Sequence, residues 1–242
     1  MTVPKFYISS QQLHKGRLVL EGENHHHLSR VLRVQKEDEV EILDGKGLVA
    51  RGRVYEITSS RAVIDVSTYD HLEEEKPRMH LYQALPKGKK MDKVIQRCVE
   101  LGIHAIHPFT CTRSRPLGVV DKNKLRRWKK IAVESSRIAG RAHLPRIDEA
   151  VGWAGMIEGL ARMDLVIMAD EEGGDKPSKA LQGAHPDDLG LIIGPEGGFT
   201  GREREDLAGA GAKIVTLGVL ILRTEAAGSV LVAAARCHLG LL

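Results

Sequence analysis

Two stretches toward the C-terminal end carry residues suited to chemistry: Leu191-Ile192-Ile193-Gly194-Pro195-Glu196-Gly197-Gly198-Phe199, then Leu217-Gly218-Val219-Leu220-Ile221-Leu222-Arg223-Thr224-Glu225. Each is an apolar run that enters a turn and then a helix. The Gly-Pro-Glu-Gly-Gly turn exposes backbone N–H groups and lets a flat ligand approach the main chain closely. The Arg223 guanidinium, at the mouth of the second loop, suits a developing negative charge or a phosphate. Glu225 is placed to accept a proton or to orient Arg223, and the pair also reads as a structural salt bridge at a helix N-terminus. Glu196 either faces a ligand or bonds its own loop. No G-x-x-x-x-G-K-[ST] phosphate cradle occurs, and Gly209-Ala210-Gly211 precedes a strand instead of following one, so a dinucleotide fingerprint is absent too. The residues alone leave two readings: a nucleoside-like ligand held mostly by backbone, or two ordinary tight turns.

Positioning these loops requires a particular frame. Thr200 with Glu203 spells a capping box that opens a helix over 201–209. Two consecutive strand–loop–helix units imply a parallel sheet with ligand loops at the strands' C-terminal ends. The pattern predicts strands at 79–84, 103–107, 165–169, 189–193 and 214–217. Helices are predicted at 91–101, 121–138, 201–209 and from about 225. Upstream of Glu73-Glu74-Glu75-Lys76-Pro77, a charged stretch ending in a helix breaker, β-rich runs at 5–8, 17–21, 39–43, 48–57 and 62–66 suggest a small barrel, interrupted by one helix at about 24–33. The division is therefore expected at residues 1–72 and 73–242. The last helix is apolar nearly all round from Ala226 to Ala235 and is expected to be buried on more than one side. Its small residues favour close approach of a second subunit, hence a homodimer.

Composition bounds the class. The 242 residues suffice for a real core. No apolar run reaches membrane-spanning length, and the start lacks a signal-peptide core. Cys98, Cys111 and Cys237 sit at neither metal nor redox spacing. They are expected to be reduced, buried hydrophobes of a cytoplasmic protein. His25, His26 and His27 are adjacent, so on a helix they diverge by about 100° each and do not converge on one ion; no metal is expected.

The formal charge of +4 conceals an asymmetry: residues 76–146 carry 18 Lys/Arg against 4 Asp/Glu, residues 147–201 only 3 against 11. Such a basic block points to a polyanionic partner. Arg126, Arg127, Lys129 and Lys130 crowd the start of a helix, where its dipole disfavours cations, which favours binding over stability. A merely solvated face is the other reading. His26, Arg30 and Arg33 form a further polar group suited to RNA phosphates.

Taken together, "IGPEGGF" and "LG-x-x-ILR-T-E" resemble the signature of SPOUT-class RNA methyltransferases, most closely the RsmE family, which methylates N3 of a uridine in small-subunit ribosomal RNA. The resemblance spans nearly the whole chain. Asn24-His25-His26-His27-Leu28, Val31-Leu32-Arg33 and Asp44-Gly45 resemble that family's N-terminal RNA-binding barrel. Ala84-Leu85-Pro86-Lys87-Gly88-Lys89-Lys90-Met91 and Glu100-Leu101-Gly102 resemble its first catalytic-domain strand and helix.

The resemblance implies a PUA-like β-barrel followed by an α/β trefoil-knot domain, and S-adenosyl-L-methionine as cofactor. The implied cofactor residues are Met168, Ala169, Ile193, Gly194, Pro195, Glu196, Gly197 and Gly198, then Leu217, Gly218, Val219, Ile221, Leu222, Arg223, Thr224 and Ala227. Catalysis is assigned to Arg223 and Glu225. RNA contacts are assigned to His26, Arg30, Arg33, Lys87, Lys89, Lys90, Arg113, Arg115, Arg126, Arg127, Lys129, Lys130 and Arg141. The chain departs from the family pattern at Leu220 (usually Arg), at Ala226 (usually Thr) and at Ile138-Ala139 (usually Gln-Ser), while the cofactor loops are intact. Two alternatives stay open: a related methyltransferase with another target nucleotide, or a catalytically silent RNA-binding or ribosome-assembly protein.

Overall fold

The computed structural model describes residues 3–9, 13–14, 16–116 and 120–242. They form two compact units, one of residues 1–74 with 137–144, the other of residues 75–136 with 145–242.

The first unit is built on a six-stranded sheet of β1 (Lys5–Tyr7), β2 (Leu13–His14), β3 (Arg17–Glu21), β4 (Glu39–Leu43), β5 (Leu48–Ile57) and β6 (Arg61–His71), in the order β1-β4-β5-β6-β3-β2. Only β1 and β4 run parallel. Among the described residues no pairing joins the outer strands β1 and β2. Inward-facing Leu18, Leu20, Val40, Ile42, Val54 and Ile64 fill the core, as strand alternation dictates. A Cβ at Gly52 would lie 2.3 Å from the Asp65 carbonyl oxygen, so the irregularity of β5 at Arg51/Gly52 needs glycine. The expected helix begins at Gly22 as α1 (Gly22–His26) and widens into a π-helical turn at His27–Val31. There His25 is buried against the Thr58 carbonyl, whereas His26 is exposed.

Segment 137–144 joins this unit through Tyr7 Oη donating to the Arg141 carbonyl at 2.5 Å, Gly47 N–H to Ala142 at 3.2 Å and Leu144 N–H to Gly45 at 3.0 Å. Periodicity gave no hint of that membership.

The second unit is a wholly parallel six-stranded sheet: β7 (Arg78–Ala84), β8 (Ala105–Phe109), β9 (Arg146–Ile147), β10 (Leu165–Ala169), β11 (Asp188–Ile193) and β12 (Lys213–Val215), ordered β12-β10-β11-β7-β8-β9. Its helices are α2 (Lys90–Glu100), α3 (Lys122–Ala139, which ends in the 137–144 segment), α4 (Trp153–Leu160), α5 (Pro177–Leu181), α6 (Gly201–Gly209) and α7 (Thr224–His238). Alternate strand residues feed two cores. Met79, Leu81, Ile167, Leu189 and Leu191 pack with Val94, Ile95, Trp128, Leu231 and Val232 of α2, α3 and α7. Tyr82, Phe109, Met168 and Ile192 pack with Met156, Leu160 and Leu207 of α4 and α6. Covered on both faces, the strands read as continuous apolar runs.

Two expectations are corrected. The last helix is buried along one stripe only (Thr224, Glu225, Gly228, Leu231, Val232, Ala235) while Val230 is 39% exposed. The three-and-four spacing of that stripe leaves its small alanines half-covered on the other side. Of the cysteines only Cys98 is buried; Cys111 is half-buried and Cys237 is exposed in the last turn of α7. The two-residue β9, the glycine-containing α4 and the single-turn α5 were not expected, being too short or too poor in helix formers to show periodicity.

A polar chain crosses the sheet away from the ligand loops. Arg78 and His80 Nε2 (2.9 Å) both contact Asp188, His80 Nδ1 meets His107 Nε2 at 3.0 Å, and His107 meets Asp148 at 2.8 Å. Burial outweighs the Asp188 contact and lowers the His80 pKa from 6.5 to about 4. The folded state thus rejects a proton that the unfolded chain accepts, and stability is lost as pH falls from 6.5 toward 4. Denaturant unfolding should give about 2 kcal/mol less stability at pH 5 than at pH 7 from this residue. His80→Leu should flatten that slope; an unchanged slope would refute the assignment.

Candidate active site

The sheet order places the switch of chain direction between β7 and β11, where the C-terminal ends of parallel strands open a crevice. β11 delivers the turn 194–198, closed by Gly198 N–H on the Pro195 carbonyl at 3.1 Å. The capping box is formed: Glu203 N–H donates to Thr200 Oγ1 at 3.3 Å and Thr200 N–H to Glu203 Oε2 at 2.8 Å. β12 delivers residues 216–223, and α7 follows at once. Its first residue is fixed by two bonds: Gln83 Nε2 donates to Thr224 Oγ1 at 3.0 Å, and Thr224 Oγ1 donates to the Gly194 carbonyl at 2.8 Å.

Between these loops lies a cavity of about 330 Å³, within the range of small-molecule sites. Of the residues expected to hold a cofactor, Ala169, Ile193, Gly194, Pro195, Glu196, Gly198, Leu217, Gly218, Val219, Ile221, Leu222, Arg223, Thr224 and Ala227 line it. Met168 is fully buried and packs instead in the core with α4 and α6. Gly197 is also outside the lining: its Cβ would face the Arg113 side chain at 3.3 Å. Lys90, Asp170, Glu171, Phe199, Thr216 and Leu220 line the cavity without having been expected there. The acidic run directly after strand 165–169 was the available signal for two of them.

The charges are arranged by pairing. Lys90 Nζ lies 2.9 Å from Glu196 Oε1 and 3.6 Å from Glu225 Oε2. The bond to Glu196 holds the Lys90 ammonium above its usual pKa. Burial pushes the Glu196 carboxyl up, but Lys90 and the Lys87 N–H (3.0 Å) outweigh it and hold the pKa below the usual range. Glu225 is 8% exposed, and its Oε2 accepts no hydrogen bond. Arg223 is exposed at the rim and precedes the first turn of α7. No ion pair joins Arg223 to Glu225 among the described residues; Glu225 faces Lys90 instead.

The residues assigned to RNA scatter more widely. Lys90 is a wall of the cavity, and Arg113 donates to the Gly197 carbonyl at 2.8 Å, holding the ligand loop. Lys87, Lys89 and Arg115 are exposed near the same loops. On α3, Lys129 and Lys130 are exposed, Arg126 bonds Asn123, and Arg127 pairs with Asp92 at 2.5 Å. His26, Arg30 and Arg33 are exposed in the first unit, where Arg141 also belongs.

The donor set suits a nucleoside-bearing cation. Main chain and apolar side chains (Ile193, Leu222, Phe199) supply most of the wall, and a Cβ at Gly194 or Gly198 would stand 3.0 Å from the Phe199 ring or 2.8 Å from the Glu171 carboxylate. Comparison with known proteins agrees with that chemistry. A family model described as an RNA methyltransferase domain matches residues 73–236, and one described as an RNA methyltransferase PUA domain matches residues 20–67. Ribosomal RNA small subunit methyltransferase E of Bacillus subtilis is 29% identical over 231 residues, covering 91% of this chain and 90% of that one. The protein of the same name from Synechocystis is 29% identical over 232 residues, covering 95% and 76%. The crystal structure of the Neisseria gonorrhoeae enzyme of that name, bound to S-adenosyl methionine, superposes with a TM-score of 0.83 at 29% identity over 98% of each chain. With more than half its length matched by that family model, the chain belongs to the RNA methyltransferase family.

Proposed function

We propose that this protein uses S-adenosylmethionine to methylate N3 of a uridine in small-subunit ribosomal RNA. The observation that carries the reading is the cavity itself: two glycine-bearing loops frame it, Arg223 lines it, and Lys90 of its wall reaches the buried Glu225, itself outside the lining, at 3.6 Å. When bound, the cofactor supplies a methyl group activated by a positively charged sulfur. The chain's own residues do the rest. Main chain at 194–196, 198 and 217–222 holds the nucleoside. Glu225 Oε2, which accepts no hydrogen bond in the folded chain, takes the proton from the imide N3. The Arg223 guanidinium stabilises the negative charge that spreads onto the base oxygens as that proton leaves. The exposed cations of α3, with His26, Arg30, Arg33 and Arg141 of the first unit, grip phosphates.

The same reading makes the protein a cytoplasmic homodimer with a trefoil-knotted C-terminal thread. An apolar run on the loop after β12 supports the pairing: Val219, Leu220 and Ile221 are 99%, 77% and 81% exposed. Contiguous apolar surface of this kind marks an interface.

Cofactor placement is tested by contrasting neighbours. At ligand about 100-fold above its dissociation constant the wild type should gain roughly 2.7 kcal/mol. Gly198→Val should lose that gain, since φ is +66° and a side chain would enter the cavity, whereas Gly197→Val should keep it. Equal thermal shifts for both variants would refute the placement, and a wild-type sample sedimenting as a monomer would remove the dimer.

For catalysis, Arg223→Ala should slow single-turnover methylation about 10²-fold or more, with cofactor affinity within a few-fold. Arg223→Lys should restore little, because an ammonium lacks the planar two-pronged geometry. A folded Arg223→Ala protein at the wild-type rate would assign this arginine to structure. Nucleotide mapping of the product settles the N3 target.

Neutralising Lys129 and Lys130 together should weaken RNA binding for all sequences. Each lost phosphate contact should reduce the logarithmic salt slope by roughly 0.7 to 0.9. An unchanged slope would leave this face merely solvated.

A further inference from the structure

The carboxylates around the cavity are not equivalent. Asp170 is 2.7 Å from Arg204 Nε with its side chain 5% exposed, and Glu172 pairs with the same guanidinium. Glu196 and Glu225 share Lys90. Each of these has a cation. Glu171 is exposed and has neither ion pair nor hydrogen bond among the described residues, yet it stands at the cavity. Its Oε1 reaches over the turn, 2.8 Å from where a Cβ on Gly198 would stand, and the residue lines the cavity. Glycine at 198 therefore serves two ends: it permits φ +66°, and it leaves room for that carboxylate.

We propose that Glu171 reads the charge of the methyl donor, favouring the sulfonium form over the neutral thioether left after transfer. The proposal rests on the cofactor reading above. The two ligands differ by one methyl group and one unit of positive charge. A pocket wall discriminates poorly by a single methyl. A carboxylate without a cation of its own discriminates by charge, because it attracts one ligand and is indifferent to the other. Paired carboxylates cannot do this equally well, since their partners cancel most of the field at a distance. The consequence for turnover is direct: loss of the positive charge in the reaction weakens the hold on the spent cofactor, so a fresh donor displaces it.

Calorimetric titration of the full chain tests this with three ligands: S-adenosylmethionine, S-adenosylhomocysteine, and sinefungin, in which an aminomethine group replaces the methylsulfonium and restores the positive charge. At low salt the wild type should bind both cationic ligands on the order of fivefold more tightly than the neutral one. Glu171→Gln keeps the shape and should bring the three affinities together, leaving S-adenosylhomocysteine within about twofold of its wild-type value. Added salt should narrow the wild-type gap and leave the variant unmoved. A variant that keeps the wild-type ratio would overturn the proposal. So would equal weakening of all three ligands, which would assign Glu171 to the ribose hydroxyls they share. Failure of all three to bind the wild type would overturn the cofactor reading itself, and the proposal with it.

Discussion

The buried amide of Gln83 governs how the second unit presents its loops. It is wholly inaccessible, sits in the central strand β7, and donates to Thr224, whose hydroxyl donates in turn to Gly194. Three elements distant in sequence meet at that point: the middle of the sheet, the exit of β11 and the start of α7. In an interior of low dielectric, breaking one member leaves the others unsatisfied at a cost of about 1–3 kcal/mol each. The junction therefore fixes both loops to the same scaffold, and the cavity inherits its width from the sheet spacing. Gly228, one turn along α7, continues the arrangement: a Cβ there would stand 3.4 Å from the Gln83 side-chain amide oxygen Oε1.

Around that junction the site separates rigid recognition from adjustable charge. The capping box and the Arg113 bond to Gly197 immobilise the turn 194–198 from the outside. On the inside, Lys90 spans the turn and α7 by contacting a carboxylate on each. One ammonium shared between two acids is easily redistributed when a ligand enters, whereas main-chain bonds are not. Affinity for the nucleoside portion is accordingly a matter of shape, and the chemistry end responds to charge.

Much of this was legible in the sequence because its causes are local. The capping box depends on two residues three apart, the strands on short apolar runs, and the loops on glycines beside them; helix 201–209 and strand 165–169 lie where periodicity puts them. What was not legible depends on distance along the chain. Lys90 reads as one more cation of a basic block until the fold sets it against Glu196, 106 positions away. Arg113 likewise reads as an RNA contact until it is seen bonding the Gly197 carbonyl. Glu171 hides in an acidic run whose other members are taken by Arg204. The pairing of Arg223 with Glu225, plausible for residues two apart, fails because successive positions at a helix start point in different directions.

The membership of segment 137–144 in the first unit also bears on how the chain comes to be folded. That unit begins at the N-terminus yet is completed by bonds from Tyr7, Gly45 and Gly47 to residues 141–144. During synthesis those bonds cannot form when residue 74 emerges; they wait until the strand β7, helix α2 and helix α3 have been made. The six strands lie within residues 5–71, so the sheet can pair before those bonds form, while the β4–β5 connection at Asp44–Gly47 is left without its partner segment. Folding from the N-terminus can therefore build the sheet of the first unit but not its last contacts, which come from chain made after the second unit has begun.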